Sequence, residues 1–225
     1  MNKFNRKTMK IDTAVLLAAV SFILTGVTKL LLHFIGNTVY ISAAVRMGLT
    51  SVISMSVPIL LFCYGNIYRK YKSTDNKSKS SAGFSVVSVL FGFGCCTGLN
   101  FIISLIRSIA KTENTYGASY NDMCEFFLMI LCAGILPAVL EELLFRGCIL
   151  TYLREYGILF SIVLSSLLFS MIHSGPANMI FAIAAGMILG TIRIVSENIA
   201  VPITVHLLNN VLALSLTAAN SFLSE

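Results

Sequence analysis

Charge is scarce in this sequence. Of 225 residues, 12% are Asp, Glu, Lys or Arg and 56% are apolar, with a mean hydropathy of +0.85. A soluble domain is closer to a quarter charged. A chain with so few polar side chains cannot cover a surface that faces water, which excludes soluble enzymes, nucleic-acid binders and disordered regulators. Acid is scarcer still: 10 Asp and Glu stand against 16 Lys and Arg, a net charge of +6. In a membrane protein such an excess marks cytoplasmic loops, so no nucleic-acid partner is expected.

Other absences narrow the reading. There is no CxxC pair, and Cys63, Cys95, Cys96, Cys124, Cys132 and Cys148 stand away from any His at metal-ligand spacing. All six lie in or at the edge of apolar runs, where a free thiol packs as a small hydrophobe. The apolar stretches are continuous and do not alternate in strands of ~10 residues, which excludes a β-barrel. No internal repeat, low-complexity tract or soluble domain is visible. The first apolar stretch is longer than a signal-peptide core and lacks a small-residue cleavage site, so it reads as a retained first helix.

What is present is a series of seven apolar runs, at 11–35, 45–67, 84–106, 123–150, 158–172, 177–195 and 199–216. At about 20 residues per crossing these predict an all-α, polytopic bundle of about seven transmembrane helices, the fifth near the lower length limit. Lys3, Arg6, Lys7, Lys10, Arg69, Lys70, Lys72, Lys77, Lys79, Arg146, Arg154 and Arg193 fall on one side of such a bundle. Arg46, Arg107 and Lys111 fall on the other, and Lys29 lies within the first helix. Twelve against three predicts a cell-membrane protein with its N-terminus in the cytoplasm and its C-terminus outside.

Ionisable groups inside such helices are costly and are candidates for function. Run four carries Pro137-Ala-Val-Leu-Glu141-Glu142-Leu-Leu-Phe-Arg146. Glu142 and Arg146 are i,i+4 and can neutralise one another on one face. Glu141 points about 100° away without that partner, which suits a general acid or base. Pro137 removes the bond to the Ala133 carbonyl and is placed to kink the helix beside the pair. Run five supplies Phe169-Ser-Met-Ile-His173. Residue 157, a glycine in the turn after run four, is midway between Glu141 and His173. Equal helical rise on both arms then puts acid and imidazole at one depth. Run seven supplies His206 and Asn210, i,i+4 on one face, after a Pro202 that fits a first turn. Each feature alone has a structural reading: an interfacial ion pair, a lone hydrogen-bonding His, a polar helix end. Together they require several coincidences at compatible depths.

In that order, Glu141-Glu142-x-x-x-Arg146, Phe169-x-x-x-His173 and His206-x-x-x-Asn210 resemble the motifs of the CPBP intramembrane proteases. This group joins type II CAAX prenyl endopeptidases with bacteriocin-processing and bacteriocin-immunity (Abi) proteins. The resemblance covers about residues 137–210. It implies helices one to three over 1–120 and a catalytic CPBP/Abi core of helices four to seven over 121–225. The family often has an eighth helix, and seven are expected here. The resemblance further implies an endopeptidase that cuts a peptide or a lipidated-protein tail near the cytoplasmic leaflet. Glu141 and His173 would activate water, and His206 and Asn210 would stabilise the oxyanion. Glu142, Arg146 and Phe169 would support them.

The family has been described both as metal-dependent and as glutamate-type, so the cofactor is either none or Zn2+. Two His and one Glu would suffice for zinc, as Glu141, His173 and His206. There is no HExxH here, and a directly activated water is the favoured expectation. The expected partners are a peptide or lipidated-protein substrate and membrane lipid.

Two other classes compete. A non-catalytic immunity or scaffold protein would keep the fold and bind a partner, which the intact motif set disfavours. A proton-coupled transporter would show repeated halves with interrupted helices, and none are seen. Gly186-x-x-x-Gly190 predicts a close helix-packing face. Lys29 and His33 share a face, explained by snorkelling to the far interface, and Asn100 and Glu125 have no assigned role.

Overall fold

A computed structural model describes residues 3–64, 81–109 and 123–223, with side chains over 11–64, 81–109 and 123–219. The basic loop at 69–79, Lys111 and the side chains of Lys3, Arg6, Lys7 and Lys10 lie outside these ranges. Among the described residues every regular element is a helix. We number them α1 (Lys3–Gly36), α2 (Ala43–Tyr64), α3 (Ala82–Ile109), α4 (Met123–Tyr156), α5 (Ile158–Ser170), α6 (Pro176–Ser196) and α7 (Ala200–Leu223).

Six of the seven are long and apolar enough to cross a membrane; α5 is apolar but has only 13 residues. At 1.5 Å per residue it rises about 20 Å, short of a ~30 Å hydrocarbon core. The expected fifth span is therefore a half-length helix. It ends where Ser170 gives way to the turn that carries His173 and Gly175 (φ 85°), a left-handed conformation available to glycine without strain. Pro176 then opens α6 at a first-turn position, where its missing N–H is no loss.

The outer faces of α1 to α3 expose large apolar side chains such as Leu16, Ile23, Leu60, Leu61, Phe91 and Phe101. This is the surface that a bilayer, and not water, accommodates. Inside, one apolar cluster joins α1 (Ala14, Leu17), α2 (Met55, Phe62), α4 (Phe145, Ile149) and α5 (Leu168, Phe169). A second joins α3, α6 and α7 through Cys96, Leu189, Ile192 and Val205, and a third ties α2 and α7 to the start of α4. All six thiols are free. Cys96, Cys132 and Cys148 are buried as expected, but Cys63 and Cys124 sit on the outer surface and are not core residues.

The GxxxG face behaves as expected. A Cβ on Gly186 would lie 2.9 Å from the Ser166 Cβ, and one on Gly190 would press on Leu150 and Ile162. Only glycine lets α6 approach α5 and α4 so closely.

α4 is not a uniform helix. Residues Ile130–Ile135 and Leu143–Ile149 are π-helical, each with an N–H bonding five residues back: Leu136 to Leu131 and Leu150 to Phe145. Pro137 follows the first wide turn directly, so the turn absorbs both its missing donor and its ring. The expected break at Pro137 is thus resolved as a π turn. Between the two π turns stands one short α segment, Leu136–Glu142, which ends on the carboxylate pair.

Candidate active site

Both carboxylates are buried, Glu141 at 9% exposure and Glu142 at 0%, and Arg146 is at 0%. Arg146 Nη1 donates to Glu142 Oε1 at 2.8 Å, as the i,i+4 spacing predicts. Its Nη2 donates to the Gly186 carbonyl at 3.2 Å, and its guanidinium carbon stands 4.4 Å from the Phe169 ring centroid. One side chain thus ties α4, α5 and α6 together. The guanidinium is planar and permanently charged, so it can serve these three partners at once.

His206 enters from α7. Its Nδ1 lies 3.0 Å from Glu142 Oε1, and its Nε2 lies 3.9 Å from Glu141 Oε2. A carboxylate only accepts, so the short contact requires the proton on Nδ1 and leaves Nε2 facing Glu141. At 3.9 Å that second pair is too long for a direct hydrogen bond. Glu141 therefore does have an ionisable neighbour, on a different helix from the one the hairpin spacing named. Glu142 Oε2 is buried without a hydrogen-bond partner.

His173 is at the end of α5, with Nδ1 3.1 Å from the Phe169 carbonyl. The carbonyl likewise requires the proton on Nδ1, so Nε2 is the open nitrogen. The Phe169 ring contacts His173 edge-to-face at 4.7 Å between centroids and His206 at 6.0 Å. It fills the space among Arg146 and the two imidazoles. No direct Glu141–His173 contact is seen among the described residues.

Asn210 Nδ2 donates to the Gly134 carbonyl at 3.4 Å, in the first π turn of α4. Sequence reasoning missed its neighbour: Asn209 accepts from Asn100 Nδ2 at 2.7 Å, a bridge from α3 to α7 one turn from His206. Two amides inside apolar runs were the available signal, since lone amides there seek one another. Lys29 does more than snorkel, because its Nζ lies 3.5 Å from Ser174 Oγ, next to His173.

Zinc fits this arrangement poorly. Among the described residues no group of three His, Cys, Asp or Glu side chains could hold a metal ion. Both Nδ1 atoms are engaged, and Glu141, His173 and His206 do not converge as one ligand set.

Residues 123–212 match the family model "Rce1-like", described as type II CAAX prenyl endopeptidase Rce1-like. The matched segment contains every residue just described on α4, α5, α6 and the first half of α7. The match runs from the long helix α4 into α7, less than half of the chain. It is also similar to "Putative membrane peptidase YdiL" of Bacillus subtilis (strain 168), at 26% identity over 190 residues. That alignment covers 79% of this chain and 76% of the relative. No solved structure matches. The six helices long and apolar enough to cross a membrane support a multi-pass membrane protein.

Proposed function

We propose that this protein is an intramembrane endopeptidase in which Glu141 is the general base. The observation that carries the reading is the cluster Arg146–Glu142–His206–Glu141. It is a buried relay in which Arg146 fixes Glu142, Glu142 fixes the His206 ring, and His206 turns Nε2 toward Glu141 at 3.9 Å. Such a gap admits a water hydrogen-bonded to both groups without being closed by a direct bond.

In the reaction, Glu141 takes a proton from that water as its oxygen bonds to the carbonyl carbon of the peptide. His173, through its open Nε2, shares the proton load from the α5 side. His206, when protonated at Nε2, and the Asn210 amide donate to the oxyanion, a term worth roughly 10²–10³ in rate per donor. Collapse of the tetrahedral intermediate re-forms the carbonyl and breaks the C–N bond. The amine leaves with the proton Glu141 had taken. The substrate is an apolar peptide or a lipidated-protein tail, and the N-terminus of the enzyme is cytoplasmic. Residues 121–225 supply the chemistry, and helices α1 to α3 frame it.

The test is Glu141→Gln in lipid nanodiscs, assayed against a candidate-peptide library with mass-spectrometric mapping of cuts. The amide keeps size and hydrogen bonding but cannot accept the proton. Cleavage should fall by about 10²-fold or more while insertion and folded yield stay near normal. Full activity in the Gln variant would refute the assignment and favour a binding protein built on the same fold.

A further inference from the structure

Asn100 has no part in the reaction above, and α3, which carries it, lies outside the segment that matches the family model. It is a half-buried amide in an apolar helix whose outer face meets lipid through Phe91 and Phe101. Its Nδ2 donates to Asn209 Oδ1 at 2.7 Å. Such a pair adds little to stability, because two apolar side chains of the same shape pack in its place without a desolvation cost. What a single buried amide pair does supply is register. It is satisfied at one helix rotation and left unpaired at the others.

Gly92, Cys96, Asn100 and Ile103 form one stripe along α3, at i, i+4, i+8 and i+11. A Cβ on Gly92 would collide with Ile192 of α6 and crowd Val205 of α7, and Cys96 continues this contact among Leu189, Ile192 and Val205. Glycine and cysteine bring the backbones together without interlocking, so this end of the stripe sets the rotation of α7 only loosely. On α7, Asn209 stands about 60° round the helix from His206, and Asn210 about 40° the other way. From the other side, α4 holds His206 through Glu142 at 3.0 Å and Asn210 through the Gly134 carbonyl at 3.4 Å. Both of those contacts end on α4 and leave α7 able to roll against it. The Asn100–Asn209 bond stops that roll from a second helix, about 4.5 Å along the axis from His206.

We infer that Asn100 is a positioning residue: through Asn209 it fixes the rotation of α7, and with it the aim of the His206 imidazole and the Asn210 amide at the reacting carbonyl. This rests on the endopeptidase reading above and adds to it a residue from outside the motif helices.

The experiment sets turnover against stability. Asn100→Leu, Asn209→Leu, the double variant and Asn100→Gln are compared in nanodiscs on a cleaved library peptide. Asn100→Leu should lower kcat about tenfold or more with KM unchanged within about twofold, since a shift of ~1 Å in a catalytic group costs up to about 10²-fold. Asn100→Gln keeps the donor and should regain part of that loss. In the double variant two apolar side chains meet, so resistance to SDS should return toward wild type while kcat stays at the level of the worse single variant. Recovery of kcat together with stability would overturn the inference and leave the amide pair as packing. Unchanged kcat in Asn100→Leu would overturn it as well.

A second readout needs no cleavage. The chain has only three histidines, His33, His173 and His206, so their ring nitrogens can be followed by NMR of ¹⁵N-histidine-labelled protein in micelles. Wild type should show His206 with its proton held on Nδ1, as the contact to Glu142 requires. In Asn100→Leu its two nitrogen signals should move toward a common average, and in Asn100→Gln they should stay apart. Unchanged His206 signals in Asn100→Leu with normal cleavage would refute the positioning role and leave the protease reading standing. Averaged signals in Asn100→Leu, when even the wild type cuts no library peptide, would refute the protease and leave Asn100 as the residue that fixes α7.

Discussion

Replacing Arg146 with methionine should show how far the site depends on one buried charge. Arg146→Met keeps much of the side-chain volume but removes a donor 2.8 Å from Glu142, a donor 3.2 Å from the Gly186 carbonyl, and the cation 4.4 Å from the Phe169 centroid. Removing one partner of a buried ion pair costs about 3–5 kcal/mol, because the other charge stays behind. The lost cation–π contact alone is worth about 2 kcal/mol when desolvated. These terms share one side chain and do not add in full, so the expected loss is about 4 kcal/mol.

Glu142→Gln alone leaves Arg146 uncompensated and should cost a similar amount. The double variant removes both charges and should cost no more than either single one, a coupling of about 3 kcal/mol or more. Recovery stays incomplete because His206 Nδ1 then faces a neutral amide oxygen and not a carboxylate. The chain has no tryptophan, so unfolding in mixed micelles with rising SDS is followed by circular dichroism. Costs that add simply in the double variant would refute the pairing argument.

Three further outcomes follow from the geometry. Gly186→Ala puts a methyl 2.9 Å from the Ser166 Cβ, so it should destabilise by about 1–3 kcal/mol in the same micelle titration, and Ser166→Gly should restore part of the loss. His206→Ala and Asn210→Ala should lower kcat with little change in KM, as expected of donors that act in the transition state; a pure KM effect in steady-state assays would contradict that role. Reporter fusions at residue 75 and at the C-terminus should report opposite sides of the membrane, and agreement between them would overturn the N-in orientation.

The sequence was most legible where chemistry is expensive. Glu141, Glu142, Arg146, His173, His206 and Asn210 stood out because polar groups in apolar runs require a reason, and the Glu142–Arg146 contact follows from helical spacing alone. The partner of Glu141 was harder to read. Placing it level with His173 assumed a uniform rise along α4, and two π turns remove that uniformity on either side of the pair. A helical wheel drawn at 100° per residue loses phase at each one. The contact to His206 spans 65 residues and three helix connections, which no local spacing encodes. The burial of Arg193 was hard to read for a related reason. Charge at a helix end suggests the interface, and only the packing of Gly186 against Ser166 turns that face inward.

The short α5 has a consequence for water. Its ~20 Å leaves about 10 Å of a normal hydrocarbon core uncrossed, so one of its ends lies below the headgroups. Irregular backbone at that depth persists only where protein covers it or an aqueous cavity reaches it. The turn after α5 holds His173 beside exposed Ser174 and Gly175, with the Ser174 carbonyl accepting from Asn178 at 2.8 Å. A hydrolase inside a bilayer needs a supply of its second substrate, and hydrocarbon holds almost none. For the proposed endopeptidase, the turn where α5 stops short is the place at which water would reach the open nitrogen of His173.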